Sequence, residues 1–244
     1  MSYLFEKGYS GSSITSFMSA LGFFHKVNAF TDPTTCFIVR QQLLSIKKLR
    51  PSSDSRKPIS ESMLFCLLNH LPSLGVSSYE QSLFSAMFLL AFHFGLRVGE
   101  ITSSPHNIKF QQVVIQKDSI TITFNSFKHA NDQNPVHSVH SQSQAFCPVV
   151  SLTNYVELRG SSDGPLFLLH GKPLLRTSFT STLKQLLALS GENPNMFNSH
   201  SFRIGAASRW AALGLSDVQI KRLGRWNSNA NFGYIRGQVT HPPA

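Results

Sequence analysis

The chain has 244 residues, which is enough for one large domain or two smaller ones with a hydrophobic core. Its 41% hydrophobic and 14% charged residues are typical of a globular chain and argue against intrinsic disorder. The 22 Lys and Arg residues outnumber the 12 Asp and Glu residues, and the resulting charge of +10 favours a polyanionic partner, nucleic acid before a membrane surface.

The cysteine pattern indicates a protein that works inside the cell. The three cysteines are odd in number and widely spaced, so no disulfide framework is expected: Cys36, Cys66 and Cys147. Glu6 and Lys7 interrupt the start of the chain before an apolar run develops, which argues against a secretory signal. The apolar stretch 83–98 contains His93 and Arg97 and is short for a membrane span, so we interpret it as a buried helix.

The first fifty residues predict helices. Ser12 and Ser13 precede apolar residues at helical spacing, namely Ile14, Phe17, Met18 and Leu21. A second helix is predicted from Asp32, a favourable N-cap, and Pro33, a favourable first helical residue. That helix ends in the basic residues 47–50. The 20 phenylalanines of the chain are interpreted as core residues rather than a base-stacking platform.

A polar segment over residues 51–58, with a proline at each end, predicts a linker. It separates a helical domain over residues 1–50 from a second domain over residues 59–244. In the second domain, Ser60 and Ser77 each begin a predicted helix, and the second of these serines has a glutamate at capping-box spacing.

A small sheet is predicted next. Residues 108–116 and 119–124 resemble strands, and the latter places Ile120, Ile122 and Phe124 on one face. Residues 128–135 predict a turn and residues 136–141 a third short strand.

The last hundred residues are mostly helical in pattern. Ser216 and Gln219 stand at capping-box spacing and begin a predicted helix. The order of helices, small antiparallel β-sheet and further helices predicts a mainly α fold of the α+β class.

Two segments carry basic residues with few acids to pair them. Within residues 40–57 they face only Asp54, and within residues 203–236 they face only Asp217. A solvated helix face is the ordinary explanation of one such run, whereas two runs favour phosphate contacts. The predicted DNA-binding residues are Arg40, Lys47, Lys48, Arg50, Arg209, Lys221, Arg222 and Arg225.

One short motif concentrates chemically useful residues. His200 and Arg203, in "HSFRIGAASRW", are three residues apart and share a helix face, so they converge on a packed core, a metal or a phosphate. By themselves they are better explained by a histidine N-cap and a surface arginine, because short motifs recur by chance. Arg97, in "FGLRVGE", ends a buried apolar helix, where a charge needs an anionic partner. Trp226 stands eight residues before Tyr234.

These boxes resemble those of the tyrosine recombinases, a family that includes phage-type integrases. The similar segments are "FGLRVGEI" and "SHSFRIGAASRWAALGLSDVQIKRLGRWNSNANFGYIRG". The second is especially similar to recombinases of eukaryotic mobile elements of the Crypton and DIRS-like types. The resemblance covers about residues 58–237. It implies a tyrosine recombinase catalytic domain preceded by a core-binding (SAM-like) domain, here short enough to be truncated.

The resemblance implies six catalytic residues, Arg97, Lys128, His200, Arg203, Trp226 and Tyr234. Tyr234 matches the nucleophile, and Trp226 stands where many members have a second histidine. Lys128 matches the lysine of the β2–β3 hairpin, with Lys117 at a neighbouring turn as the alternative. The implied activity is DNA cleavage and rejoining, as in site-specific recombination or integration.

The chemistry accounts for these residue types. A phenol with a pKa near ~10 is a poor nucleophile at neutral pH, so it needs help from its neighbours. Two arginine forks can hold the non-bridging phosphate oxygens as negative charge develops on them. His200 would accept or position the Tyr234 proton, and Lys128 would protonate the departing 5′ oxygen. The 3′-phosphotyrosine conserves the bond energy, so neither cofactor nor metal is implied.

The expected partners are double-stranded DNA and further copies of the chain, as a dimer or tetramer on DNA, and no membrane. The expected location is intracellular, and the nucleus if the source is eukaryotic. A zinc site at His137, His140 and Cys147 is disfavoured because a fourth ligand and standard spacing are missing. Two alternatives stay open. One is a domesticated or degraded, non-catalytic DNA-binding relic, against which the retention of all six catalytic residue types argues. The other is a type IB topoisomerase, against which the "HSFRIGAA" and "LGRW" boxes argue.

Overall fold

The computed structural model describes residues 1–50, 55–125, 134–142, 146–226 and 235. The chain divides into two units, Met1–Ser55 and Arg56–Ala244. The division falls inside the predicted linker, and the assignment of the first unit as a core-binding domain stays a prediction.

In its described residues the first unit has three α-helices, α1 (Ser2–Glu6), α2 (Gly11–Val27) and α3 (Phe37–Leu49). The N-cap of α2 is Ser10, whose Oγ accepts from the Ser13 amide at 3.1 Å, so the helix begins earlier than predicted. Asp32 caps a separate 3₁₀ turn, Pro33–Thr35, instead of α3 itself. The predicted second helix is therefore divided into two elements.

The phenylalanines of the first unit are mostly exposed. Phe17, Phe23, Phe24 and Phe30 face solvent, and Ile14 is among the few buried apolar residues of this unit. The prediction that the phenylalanines form core is wrong for these residues. Three short helices bury too little surface to enclose so many large side chains.

The second unit begins with α4 (Glu61–Asn69), α5 (Ser78–His93) and α6 (Val98–Ile101). The predicted caps are confirmed, because the Oγ of Ser60 accepts from the Met63 amide at 3.1 Å and Ser77 forms a capping box with Glu80. Helix α5 is buried from Leu83 onwards except for Ser85. Such a helix carries no clear polar stripe, which explains its continuous apolar sequence.

The three-stranded antiparallel sheet has the order β1 (Val113–Gln116), β2 (Ser119–Thr123) and β3 (Val136–His140). Ile120 pairs with residues of both neighbouring strands, and its side chain is fully buried together with Ile122. The predicted alternation in β2 is thus confirmed. The first strand begins at Val113 rather than residue 108, because Phe110–Gln112 form a 3₁₀ turn. Residues 126–133 of the predicted turn lie outside the described ranges.

The rest of the second unit is mainly helical. Its elements are α7 (Pro148–Arg159), the hairpin β4 (Leu168–Leu169) and β5 (Lys172–Pro173), α8 (Arg176–Leu189), α9 (Ser201–Ala212) and α10 (Asp217–Gly224). The predicted capping box of Ser216 and Gln219 begins α10. The predicted fold, mainly α with a small antiparallel β-sheet, is confirmed. Among the described residues, no helix has the length and apolar character that crossing a membrane requires.

Close packing around α5 positions Arg97 and Arg203. Helix α5 packs against α7 and α9, with Phe88 in contact with Phe179 and Phe202. Gly205 of α9 lies against the chain before α4, where an added Cβ would stand 1.9 Å from the Ile59 carbonyl oxygen. A glycine is required there because the two backbones approach too closely for a side chain.

Candidate functional site

Arg97 lies beyond α5 and not at its end as predicted. Helix α5 stops at His93, and Arg97 occupies the N-cap position of α6. Gly95 turns the chain between them with a φ of +54°, and an added Cβ there would lie 2.7 Å from the ring of Trp210. This turn therefore depends on glycine and sets where Arg97 begins.

Arg97 is held through both its main-chain amide and its guanidinium. Its amide donates to Glu100 Oε2 at 2.7 Å, and its Nη1 donates to Glu100 Oε1 at 3.2 Å. Its Nη2 donates to the carbonyl oxygen of Arg225 at 2.9 Å. About a quarter of the side chain, 24%, is exposed, so this guanidinium is fixed and still partly accessible.

Arg203 is among the largest fully buried side chains of the chain. From α9 it donates through Nη1 to the Gly95 carbonyl and through Nη2 to the Gly224 carbonyl, the latter at 2.8 Å. It thereby joins the turn before Arg97 to the end of α10. The structure therefore brings Arg97 and Arg203 to the same place, at the carbonyls of residues 224 and 225.

Trp226 completes this surface. Its indole ring lies 4.6 Å from the guanidinium carbon of Arg203, which is the geometry of a cation–π contact. The ring also covers Gly224, where an added Cβ would come within 1.7 Å of it. Trp226 is therefore beside one of the two arginines, as a residue of the same site would be.

A buried carboxylate lies at the centre of the cluster. Burial alone would raise the pKa of Glu100, but three surrounding guanidiniums hold it below its usual range: those of Arg225, Arg203 and Arg97. Three cations around one anion leave the cluster with a positive charge. A site of this kind attracts an anionic group.

His200 occupies the N-cap position of α9, one turn before Arg203. Its side chain makes no capping bond to the helix, and its amide instead donates to Asn198 Oδ1 at 2.8 Å. The explanation of this histidine as a side-chain cap is therefore not supported. The side chain is half-buried.

Two of the predicted catalytic residues, Lys128 and Tyr234, lie outside the described residues. The alternative lysine, Lys117, is exposed in the turn between β1 and β2. Tyr155 is a poor alternative to Tyr234, because it is fully buried and its hydroxyl donates to the Leu166 carbonyl at 3.2 Å. Burial also raises the pKa of Tyr155, which makes its phenolate harder to form.

The predicted DNA-binding residues of the first unit are mainly at the surface. Arg40, Lys47 and Lys48 project from α3 and are exposed. Arg50 is more constrained, because its Nη1 donates to the Tyr9 carbonyl at 3.1 Å and its guanidinium lies over the Phe5 ring.

The predicted DNA-binding residues of the second unit differ in exposure. Arg222 is exposed and Lys221 is half-buried. Arg209 pairs with Glu61 at 3.3 Å. The prediction for Arg225 needs correction, because its side chain is 1% exposed and its Nη2 lies 2.7 Å from a Glu100 carboxylate oxygen. That guanidinium is buried and paired with a carboxylate rather than placed at the surface.

The disfavoured zinc site is not assembled in the described part of the chain. Cys147 Sγ lies 3.4 Å from both Ser141 Oγ and the Gln142 amide nitrogen. His137 is buried, and desolvation, with Arg225 and Arg222 adding to it, lowers its pKa to about 4. Within the described ranges, no three His, Cys, Asp or Glu side chains are arranged to hold a metal ion.

Sequence reasoning missed Glu100 and the buried position of Arg225. Glu100 follows Arg97 at capping-box spacing, and that spacing could have indicated it. No local pattern marks Arg225 as buried, since its neighbours in α10 include two other basic residues, Lys221 and Arg222.

The sequence matches no family model and no curated protein, so the likenesses are structural. A lambda integrase dimer bound to a COC′ core site matches with a TM-score of 0.64 and 13% identity, over 100% of this chain and 64% of that chain. The Tn1549 transposon integrase in complex with circular intermediate DNA matches with a TM-score of 0.63 and 14% identity, over 98% and 79%.

A third match is the XerH site-specific recombinase bound to its palindromic difH substrate, with a TM-score of 0.59, 12% identity and 75% of this chain covered. The chain spans 49% of the length of that protein. All three neighbours are tyrosine recombinases or integrases, and the fold of this chain is that of the tyrosine recombinase catalytic domain.

Proposed function

We propose that this chain cleaves and rejoins DNA strands through a 3′-phosphotyrosine intermediate, with Tyr234 as the nucleophile. The observation that carries the proposal is the convergence of Arg97 and Arg203, from distant parts of the chain, on the carbonyls next to Trp226. The fold of the neighbouring recombinases and integrases supports the same class of reaction.

The geometry suits the stabilisation of a phosphoryl transition state. Arg97 is held by Glu100 and by a main-chain carbonyl, so its donors are oriented before a substrate arrives. Donors fixed in advance need no reorganisation when charge develops on the phosphate oxygens. The surplus positive charge of the cluster adds attraction for the phosphodiester.

The remaining roles follow from the resemblance to the tyrosine recombinases and from the chemistry of the residue types. His200 is one turn from Arg203 and is assigned to accept or position the Tyr234 proton. Lys128 is assigned to protonate the departing 5′ oxygen, and Trp226 to donate its indole N–H to a phosphate oxygen. Neither a metal nor a cofactor enters this assignment.

Double-stranded DNA is the proposed partner. The exposed cations of α3, Arg40, Lys47 and Lys48, can neutralise backbone phosphates. The neighbouring structures named above contain DNA, and the lambda integrase is a dimer, so we also propose self-association on DNA. The boxes around His200 and Trp226 support an origin in a mobile element of the Crypton or DIRS-like type. We place the protein inside the cell, and in the nucleus if the source is eukaryotic.

The test is covalent trapping on a nicked suicide duplex that carries the element's terminal sequence. The parent chain should form a 3′-linked adduct that is visible by denaturing electrophoresis. Tyr234→Phe should abolish the adduct while DNA affinity is retained, because the change removes one oxygen only. Tyr9→Phe, the same change at an exposed tyrosine, is the control and should leave the adduct unchanged.

Two outcomes would change the assignment. An adduct that persists in Tyr234→Phe would move the nucleophile to another residue. A parent chain that binds the duplex without forming an adduct would favour the non-catalytic DNA-binding relic.

A further inference from the structure

Arg225, at the end of α10, combines a left-handed backbone with a buried charge. It ends α10 in the left-handed region, with φ 53° and ψ 49°, although it is not a glycine. Its side chain is 1% exposed. A left-handed backbone and a buried charge are both unfavourable, and residues that combine such features are concentrated at functional sites.

The guanidinium of Arg225 is enclosed by specific partners. Its Nη2 donates to Glu100 Oε2 at 2.7 Å, and its Nη1 lies 3.4 Å from the Phe94 carbonyl oxygen and 3.3 Å from the Leu223 carbonyl oxygen. Its guanidinium carbon stands 3.9 Å from the centre of the Phe124 ring. These contacts determine a single orientation of the side chain.

Glu100 connects Arg225 to Arg97. One carboxylate oxygen, Oε2, receives both Arg225 Nη2 and the Arg97 amide, and the other, Oε1, receives Arg97 Nη1. Arg97 Nη2 then returns to the main-chain carbonyl of Arg225. The two arginines and the carboxylate therefore form a closed ring of hydrogen bonds.

The main chain of Arg225 also affects the position of Arg203. Its left-handed conformation turns the chain between the Gly224 carbonyl, which accepts from Arg203, and Trp226, which lies over Arg203. A change in this conformation would move both contacts. Arg225 is thus connected to Arg97 through its side chain and to Arg203 through its backbone.

We propose that Arg225 is a positioning residue for the phosphate clamp, acting on Arg97 through the shared Glu100 carboxylate. The inference rests on the proposed function, in which Arg97 and Arg203 hold the scissile phosphate. Arg225 itself touches no DNA, because its guanidinium would have to leave Glu100 to reach the surface.

The first experiment measures single-turnover cleavage at saturating suicide DNA, together with the Kd for that DNA. Arg225→Met should lower the cleavage rate about 100-fold, since a small misplacement of a clamping group has an effect of this order. The Kd should rise by a much smaller factor than the rate falls, because one charge of the cluster is lost but no phosphate contact is removed. Arg225→Lys, which keeps the charge without the fork, should give an intermediate rate.

A double-mutant cycle tests whether Arg225 acts through Glu100. In a Glu100→Gln background, Arg225→Met should lower the cleavage rate by a much smaller factor than in the parent. The carboxylate that connects Arg225 to Arg97 is already absent there. Arg159→Lys is the control for a lost guanidinium, since Arg159 also donates to main-chain carbonyls, those of Leu166 and Pro165, outside the cluster. It should keep the parental cleavage rate.

A second readout does not depend on catalysis. Nitrogen-edited NMR of the arginine side chains, without DNA, should show protected Arg97 Nη protons in the parent, assigned by their loss in Arg97→Lys. They should exchange rapidly in Arg225→Met and stay protected in Arg159→Lys. If the parent chain forms no adduct while Arg97 responds in this way, the proposed function fails and the positioning of Arg97 by Arg225 stands.

Three results would overturn the inference. The first is a parental cleavage rate in Arg225→Met, and the second is an unchanged Arg97 signal in that variant. The third is weaker DNA binding together with a shallower dependence of log K on log salt concentration, by an amount that corresponds to about one phosphate contact. That result would make Arg225 a DNA ligand. If Arg225→Met does not fold, the same three criteria apply to Arg225→Lys.

Discussion

Replacement of Arg203 by lysine removes a bridge between two distant carbonyls. In the structure one guanidinium donates to the Gly95 and Gly224 carbonyls from two different nitrogens. A single ammonium nitrogen lacks this fork and cannot hold both. One buried carbonyl is then left without a donor, which costs about 1–3 kcal/mol, and the contact with Trp226 is weakened. We expect Arg203→Lys to lower the free energy of unfolding by roughly 2–4 kcal/mol.

Urea unfolding followed by tryptophan fluorescence measures this loss. Both tryptophans of the chain, Trp210 and Trp226, lie in the second unit, so the signal reports on that unit. Arg176→Lys, at an exposed position at the start of α8, is the matched control and should change the free energy by no more than about 0.5 kcal/mol.

The same variant should lose cleavage activity while it still binds DNA. Removing one preorganised donor from a transition-state clamp lowers the rate by about 10²–10³-fold. The cleavage rate is measured without urea, at a temperature at which the variant is folded. Arg203→Lys with parental stability would show that the bridge between the two carbonyls does not hold the structure together. Parental cleavage by this variant would remove Arg203 from the site.

Two further predictions concern packing and pH. Gly205→Ala should destabilise the second unit by about 3 kcal/mol, because its Cβ would lie 1.9 Å from the Ile59 carbonyl oxygen. Gly99→Ala is the control, since its Cβ would meet its nearest neighbour at 3.4 Å. Thermal unfolding should show a loss of stability in the first variant only. Burial, with Arg209 adding to it, lowers the pKa of His93 from 6.5 to about 3. As the pH drops, the unfolded state therefore binds this proton before the folded state does. The free energy of unfolding should fall between pH 6.5 and pH 3 by about 1.4 kcal/mol per pH unit. His93→Gln should unfold at a lower pH than the parent in an acid titration, and equal midpoints would contradict this reasoning.

Local features were predictable from the sequence because their causes lie within a few residues. Ser60, Ser77 and Ser216 begin helices as predicted, since a side-chain oxygen needs only the amide three positions ahead. The alternation of β2 likewise identified which face is buried. The boxes that contain Arg97 and Arg203 identified the residues that converge in space.

Elements with weak local signals were not predictable. The hairpin of β4 and β5 has two residues in each strand, too few to show alternation. The continuous helix expected from Asp32 is divided because Asp32 caps a 3₁₀ turn and α3 begins only at Phe37.

Burial was decided by tertiary structure. The phenylalanines at 23 and 24 are exposed, whereas those at 84 and 88 are buried, although both sets lie in apolar helical sequence. The difference depends on how many other elements surround the helix. Only the second unit is large enough to enclose its phenylalanines.

Arg225 gives the clearest case at the site itself. The sequence places it in a basic run that predicts a surface contact, since Lys221 and Arg222 precede it. Its burial follows from Glu100, which is more than a hundred residues away in the chain and meets it only when α10 ends against α6. Residue type and spacing therefore indicated which arginines converge, while the fold alone decided that Arg225 is buried against a carboxylate, because the partner of a buried charge is set by tertiary contacts.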